Sequence, residues 1–446
     1  MKLAPVSKGN AARAEPLSAS PWVVICSRTF LLNAAGGSSA YVLSIADYLR
    51  SLGFRVAFLA LSPNGFGVRP FARLGAELGV FDDYRINGWM RLGSWVVRID
   101  SPLPWLAAAV KLVLKKIVPK VARWLPGGLR DWLNDHVMIR RSNMSPASTA
   151  ELRFADRHIQ RLDPAAVYIN YFYIADVAAL PRVSGIPSYV LTHSVFFDRS
   201  ALYEKKNVRS EHPVIEQFTE ITALAKADTV VAIQQTDAEI LSRFLPVGSV
   251  VTAPMAMSAR QNNAVRVSGR CLFVGGDSQP NTLGLLWFLE HVWPRVLAAE
   301  SPAHLRICGD VNRSFSAHFP NVTFVGRVAD LAPEYDSALV CVVPLVVGSG
   351  LKIKLVEALC HGRTGVATSV GVQGLHFGIS ETVAVADEPV EFAAEVVDLL
   401  RNDARRSVME AMALNFGQQH FLADSCYPRL NPSFHPKVFS RAGSKQ

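Results

Sequence analysis

Lys352, Lys354 and Glu357 follow a Gly348-Ser349-Gly350 turn, and an apolar run from Val342 to Val347 precedes that turn. The pattern predicts a buried strand, a tight glycine turn, and a helix with two lysines and a glutamate near its start. Glycines let backbone N–H groups approach a ligand closely, and a helix N-terminus favours negative charge. The lysines add full positive charges. Glu357 adds an acceptor suited to sugar or ribose hydroxyls. Together these are the parts of a cradle for a nucleotide diphosphate. The plainer alternative is that Lys354 and Glu357, spaced i,i+3, form a helix-surface ion pair of ~0.2–0.5 kcal/mol.

A second candidate is His193, just beyond the apolar run Tyr189-Val190-Leu191-Thr192 and followed by Ser194 and Asp198. A histidine at the carboxyl end of a strand is well placed for chemistry in a cleft. A lone one is more often a structural hydrogen-bonding group.

The elements that must position these residues follow from periodicity. Trp22–Cys26 reads as a strand, Gly36-Gly37-Ser38-Ser39 as a loop, Ala40–Leu52 as a helix with Val42, Ile45, Ala46 and Leu49 on one face, and Val56–Leu61 as a second strand. Strand, glycine loop, helix, strand opens a parallel α/β domain, and such sheets bind ligands at the carboxyl ends of their strands. A helix over 153–163, strands over 167–169, 189–192 and 228–233, and a helix over 237–244 complete a first domain, 21–253. Residues 254–269 are polar and suit a linker. The α/β rhythm then repeats, with strands over 272–274, 304–308, 322–325, 339–343 and 365–368 and closing helices over 389–402 and 404–419. This gives a second domain, 270–420, flanked by an N-terminal tail (1–20) and a C-terminal tail (421–446). The expected architecture is two Rossmann-like α/β domains facing a central cleft.

The string GSGLKIKLVEALCHGRTGVATSVGVQGL (348–375) resembles the donor-site signature of GT-B glycosyltransferases of the large retaining type. Two further blocks fit the same pattern in order, CLFVGGDSQPNTLGLLWFLEHVWPRV (271–296) and VTFVGRVADLAPEYDSALVCVVPL (322–345). The resemblance implies that Gly36 and Gly37 face the donor phosphates across the cleft. It implies that Gly348, Ser349 and Gly350 support the phosphate or the transferred sugar, that Lys352 and Lys354 hold the diphosphate, and that Glu357 holds the ribose. His193 corresponds to a residue that contacts the donor sugar or supports the reaction centre, so His193, Lys354 and Glu357 form the expected catalytic set. Two departures stand out. Ser349 occupies the place where many relatives carry a first glutamate, and the loop Gly276–Asn281 lacks the cations that many relatives place there.

The chain has 446 residues, half of them apolar and 19% charged, so it is folded and long enough for two cores. Its net charge of +9 points to an anionic partner. From Arg85 to Arg141 eleven basic side chains face three acidic ones, and this stretch holds five of the eight tryptophans. Such a composition predicts a membrane-surface insertion at about 85–145, or else a helical lid whose tryptophans pack on their own domain. The charge comes with no recognised nucleic-acid motif. The six cysteines show no close pairing and read as small buried hydrophobes in a reducing compartment. Neither a signal peptide nor a membrane span is expected, which places the chain in the cytoplasm, at the inner face of the membrane. A GxGxxG fingerprint after the first strand, paired carboxylates and a metal-ligand cluster are not seen. The expected activity is metal-independent, retaining glycosyl transfer from a nucleotide-diphosphate sugar to a lipid-linked or polysaccharide acceptor, with no further cofactor. A degenerate scaffold of the same fold and a sugar-nucleotide epimerase are the alternatives.

Overall fold

The computed structural model describes residues 20–28, 37–62, 70–102, 105, 144–211, 213–260, 265–315, 317–375 and 378–437. In the first half the strands are β1 (Trp22–Ser27), β2 (Arg55–Ala60), β3 (Phe71–Arg73), β4 (Asp83–Ile86), β5 (Trp89–Leu92), β6 (Trp95–Arg98), β7 (Ala166–Asn170), β8 (Ser188–Leu191), β9 (Thr229–Ala232) and β10 (Val250–Thr252). The second half contributes β11 (Arg270–Val274), β12 (His304–Cys308), β13 (Val322–Gly326), β14 (Val340–Val343), β15 (Gly365–Ala367) and β16 (Ala384–Val385).

Two parallel sheets organise these strands. One runs β10-β9-β8-β7-β1-β2-β4 and the other β13-β12-β11-β14-β15-β16. Their strands read as unbroken apolar runs because helices cover both faces, and β7, β8, β9 and β14 are buried at every position. Strand order reverses beside β1 in the first sheet and beside β11 in the second. A crevice opens at the carboxyl ends of β1 and β7, and another at those of β11 and β14. This is the expected two-domain α/β architecture.

The helix after β1, Gly37–Ser51, buries Val42, Ile45, Ala46 and Leu49 as expected, and adds Tyr41 and Tyr48. Thr149–Leu162 starts four residues earlier than its apolar period suggests. A capping box sets its start: Ser148 accepts from the Glu151 amide while Glu151 reaches back to the Ser148 amide.

One stretch departs from expectation. Arg85 lies on β4, which pairs in parallel with β2, so 85 is inside the main sheet and does not begin a separate insertion. Residues 89–98 then form a hairpin closed by Gly93 (φ 60°) and Ser94, and β3 joins it to make a three-stranded antiparallel sheet. Trp89 is buried, whereas Trp95 and Trp105 are exposed. Trp124 and Trp132 lie outside the described residues, as do most residues of the expected insertion.

Another stretch, 421–437, read as a C-terminal tail of an architecture whose last segment often crosses back to the first domain, is closely packed. Phe421, Cys426, Tyr427 and Leu430 are buried. The segment crosses back to the first domain, where Tyr168 donates to the Leu430 carbonyl, the Ser44 and Tyr427 hydroxyls meet at 2.9 Å, and Lys437 pairs with Asp228 at 2.7 Å. The stretch expected as linker is anchored from the same side, with the Ala256 amide donating to Tyr427 Oη at 2.7 Å and the Met257 amide to the Phe421 carbonyl at 2.7 Å. All six cysteines are free and buried, in line with their reading as small hydrophobes, and burial pushes the Cys26 thiol up to about 12.

Candidate active site

The Gly348-Ser349-Gly350 loop leaves β14 at the crevice, and its glycines take φ of 140° and 72°, conformations that a side chain at Cβ resists. A Cβ on Gly350 would overlap the His193 carbonyl oxygen at the end of β8. A Cβ on Gly37, the first residue of its helix, would come 2.6 Å from Ile353 Cδ1. Bare backbone at these two positions lets the domains touch, and it brings Gly37, His193, Gly350 and the Ile353–Cys360 helix to one place. The domains meet again where Gln279 Nε2 donates to the Arg209 carbonyl at 2.6 Å. Gly36 lies outside the described residues.

Lys352 is the N-cap residue of that helix and is almost fully buried. Its ammonium donates to the Gly350 carbonyl at 2.7 Å and to Gln373 Oε1 at 3.2 Å. Burial lowers its pKa to about 8, opposed by the charge of Asp237. Lys354, half-buried, donates to Asn281 Oδ1 at 2.5 Å and sits 4.3 Å from the centroid of the Phe273 ring. Burial lowers it to about 7, opposed by Glu357, while Lys352 adds to the lowering. Asn281 Nδ2 donates to the Gly276 carbonyl at 2.9 Å. The loop that carries no cation thus supplies the residue that aims Lys354.

Glu357 and Lys354 do not form the surface ion pair of the plainer reading. Glu357 Oε2 instead accepts from the Tyr335 hydroxyl at 2.9 Å, and burial raises its pKa against the effects of Tyr335 and Lys354. Ser349 lies half-buried between its glycines.

His193 stands in a polar and aromatic cage. Its Nε2 lies 2.7 Å from Asn170 Oδ1, and Asn170 Nδ2 donates to Ser27 Oγ at 3.0 Å, so Nε2 carries the proton and Nδ1 the lone pair. The Asn170–Ser27 bond spans the reversal point between β7 and β1. Tyr171 stacks on the imidazole at 4.2 Å, and Tyr41 meets it edge-on at 5.4 Å. Tyr171 adopts φ 79°, a strained conformation for a residue with a side chain, and its hydroxyl bonds Ser38 at the start of the Gly37–Ser51 helix. Burial lowers the His193 pKa to about 3, which keeps the ring neutral at physiological pH.

Sequence reasoning missed a polar cluster on the same wall as His193, facing Lys352. Gln234 and Asp237 open the helix after β9, both buried. Gln234 Nε2 donates to Asp237 Oδ1 at 2.7 Å, while Gln234 Oε1 and Asp237 Oδ2 have no hydrogen-bond partner among the described residues. A Cβ on Gly374 would overlap Gln234 Oε1, so the cluster abuts the segment that carries Gln373. Burial raises Asp237 to about 6. The Asp237 carboxylate favours the charged form of Lys352. No group of three or more His, Cys, Asp or Glu among the described residues is arranged to hold a metal ion.

Residues 268–402 match the family described as Glycosyl transferases group 1. Over 162 residues the chain is 26% identical to an uncharacterized 44.6 kDa protein in the cps region of Klebsiella pneumoniae, a match covering 34% of this chain and 42% of that protein. The chain thus spans less than half the length of that relative. Its fold is similar to that of sucrose-phosphate synthase from Thermosynechococcus elongatus (TM-score 0.62, 16% identity, 94% of this chain and 100% of that one). It is also similar to HepE from Anabaena, solved in complex with UDP (TM-score 0.56, 11% identity, 94% and 100%). The chain has the GT-B glycosyltransferase fold, and within it residues 268–402 of the second domain match the group 1 glycosyl transferase model.

Proposed function

We propose that the chain transfers a glycosyl group from a nucleotide-diphosphate donor to a lipid-linked or polysaccharide acceptor at the cytoplasmic face of a membrane. The observation that carries this reading is the meeting of the Lys352–Lys354 helix start with His193 and Gly37 across the cleft. A group 1 domain, a relative named for a cps region and a fold neighbour holding UDP support it.

In this reading the bond between the anomeric carbon and the β-phosphate oxygen breaks, and its electron pair leaves with the diphosphate. Lys352, Lys354 and the amides at the helix start neutralise that charge without a metal ion. Glu357, held by Tyr335, accepts from the ribose hydroxyls. The acceptor oxygen bonds the anomeric carbon on the face the diphosphate leaves, and its proton passes to the departing phosphate oxygen, with retention of configuration. His193, neutral, supports the transferred sugar as a directed hydrogen-bonding group and not as an acid. Closure of the Gly37 and Gly350 contacts excludes water, so transfer outcompetes hydrolysis.

Thermal stabilisation by a panel of nucleoside diphosphates and nucleotide sugars, with UDP first, tests the donor site. A ligand at 100 times its dissociation constant adds ~2.7 kcal/mol. The expected result is a shift with one base family, lost in Lys354→Ala and Glu357→Ala. No shift with any member of the panel overturns the assignment, and binding without turnover on any acceptor favours the scaffold.

A further inference from the structure

The antiparallel sheet β3-β6-β5 has two faces of opposite character, set by its register. Directly paired residues share a face, so Phe71 and Met90, both opposite Val97, lie with it on one side, and Leu92, Arg73 and Trp95 join them one step on. Ala72, Val96, Trp89 and Arg98 lie on the other side and are buried against the domain. The first side is solvent-facing yet apolar: Phe71, Met90, Leu92, Trp95 and Ile99 are 45 to 64% exposed. Arg73 is its one charged member among the described residues. The rings of Phe71 and Trp95 lie 5.9 Å apart, and Trp105, anchored by its indole N–H to the Arg98 carbonyl at 3.1 Å, extends the patch. An ordinary surface strand alternates polar residues outward. Here the outward side is mainly apolar on all three strands.

We infer that this face is a membrane-docking surface whose partner is an anionic lipid bilayer. Tryptophan, phenylalanine and leucine projecting together suit the boundary between headgroups and acyl chains. Charge selects the bilayer over a second copy of this chain. The sequence that follows Trp105, residues 106–143, holds eight basic side chains against two acidic ones, and Arg73 adds exposed charge on this face of the sheet. Two copies meeting through this face would set like charges against each other, whereas anionic headgroups complement them. The location suits an acceptor delivered from the membrane. Residues 145 and 146, which close the basic stretch, are tied by Arg28 at the carboxyl end of β1, whose guanidinium donates to the Ser145 carbonyl at 2.5 Å and the Pro146 carbonyl at 3.0 Å. The purpose of the surface rests on the proposed membrane-face function, but its existence rests on register and exposure alone.

The test is co-flotation of the full chain with phosphatidylcholine vesicles and with vesicles that also contain phosphatidylglycerol. The triple variant Phe71→Ser, Leu92→Ser, Trp95→Ser runs beside the wild type, and nucleotide-induced thermal stabilisation of each reports the donor site separately. The expected result is wild-type binding to the anionic vesicles, weakened at least about tenfold in the triple variant with its nucleotide shift intact. Quenching of tryptophan fluorescence by lipids brominated on the acyl chain, reduced in Trp95→Phe, tests the same contact without a risk to folding. Absence of wild-type binding, equal binding by the triple variant, or quenching unchanged in Trp95→Phe overturns the inference. A wild-type dimer that the triple variant breaks assigns the face to a second copy. A nucleotide shift lost with vesicle binding intact faults the donor-site reading and leaves this one standing.

Discussion

At the proposed donor site, two lysines whose pKa values burial lowers make nucleotide binding a proton-uptake reaction. In the free protein Lys352 titrates near about 8 and Lys354 near about 7. A nucleoside diphosphate that needs both ammonium groups charged draws protons in with it wherever either is neutral. Below about pH 6.5 both are charged and affinity is flat. Multiplying the two titrations, affinity for UDP weakens by about 100-fold, ~2.7 kcal/mol, from about pH 6.5 to about pH 8.5. At about pH 7.5 the same two groups take up about one proton per UDP bound. Isothermal titration calorimetry in two buffers of different ionisation heat measures that uptake directly. Lys354→Met leaves Lys352 alone and cuts the uptake to about a quarter of a proton at the same pH. Asp237→Asn removes the carboxylate that supports the Lys352 charge, which moves that titration lower and raises the uptake. The unliganded protein responds with the opposite sign. Each folded-state value lies below the ordinary 10.5, so the unfolded chain binds more protons between about 7 and 10.5, and these groups make folding more favourable as pH rises through that window. Affinity independent of pH, with heats that do not depend on the buffer, refutes the reasoning, because the ammoniums would then be charged already or not in contact with the phosphates.

Gly350→Ala forces a side chain into φ 72° and onto the His193 carbonyl; the backbone strain alone costs about 1–2 kcal/mol, to be read as a lower urea midpoint, and a wild-type midpoint would mean that the two domains do not meet there. Glu220 accepts from the amides of Phe196 and Phe197 at 3.1 and 3.0 Å, at the start of the Phe196–Lys205 helix. Glu220→Ala leaves both buried donors unpaired, for a loss of about 1–3 kcal/mol in urea unfolding. Burial raises this carboxyl from 4.5 to about 7, so its contribution is largest below 4.5 and declines as pH rises towards 7. Urea titrations at pH 5 and pH 7 should show that decline in the wild type and not in the variant.

Most of the parallel strands were legible as apolar runs, whereas β4, broken by Asp83 and Arg85, and the short β10 and β16 were not, and helix ends were legible to within a few residues. Lys352, Lys354 and Glu357 were legible because a glycine turn and a helix start place them in consecutive turns. What surrounds them was not. Asn281 lies 73 positions from Lys354, Asn170 lies 23 from His193, and Tyr335 lies 22 from Glu357. Such partners depend on which strands and helices lie side by side within one sheet's domain, and nothing local marks them. The three-stranded sheet was missed for a different reason. The tryptophans and basic residues of 85–141 suggested one helical insertion, whereas Leu92-Gly93-Ser94-Trp95 already carried a two-residue hairpin signal with glycine at the first turn position. The Ser148 and Glu151 pair was likewise a readable helix start.

The two walls of the cleft divide the work by charge. The first domain contributes a rigid, neutral network, Ser27–Asn170–His193 stacked on Tyr171, held in place by a strained backbone and by the Ser38 hydroxyl. Its imidazole, near about 3, carries no charge at any physiological pH and so imposes no electrostatic cost on a neutral sugar. The second domain contributes positive charge, but in a form that burial has partly removed. Lys352 is held by a carbonyl and an amide oxygen, Lys354 by an amide oxygen and an aromatic face, and neither has a carboxylate within ion-pair distance among the described residues. A full salt bridge would have stabilised the empty site and then had to be broken before a phosphate could enter. Dipoles and a ring face hold the two ammonium groups in position while leaving their charge unneutralised. An arriving diphosphate therefore meets donors already aimed at it. Its own charge restores the protons that burial removed, so the positive field of the site is strongest when the leaving group is there to use it.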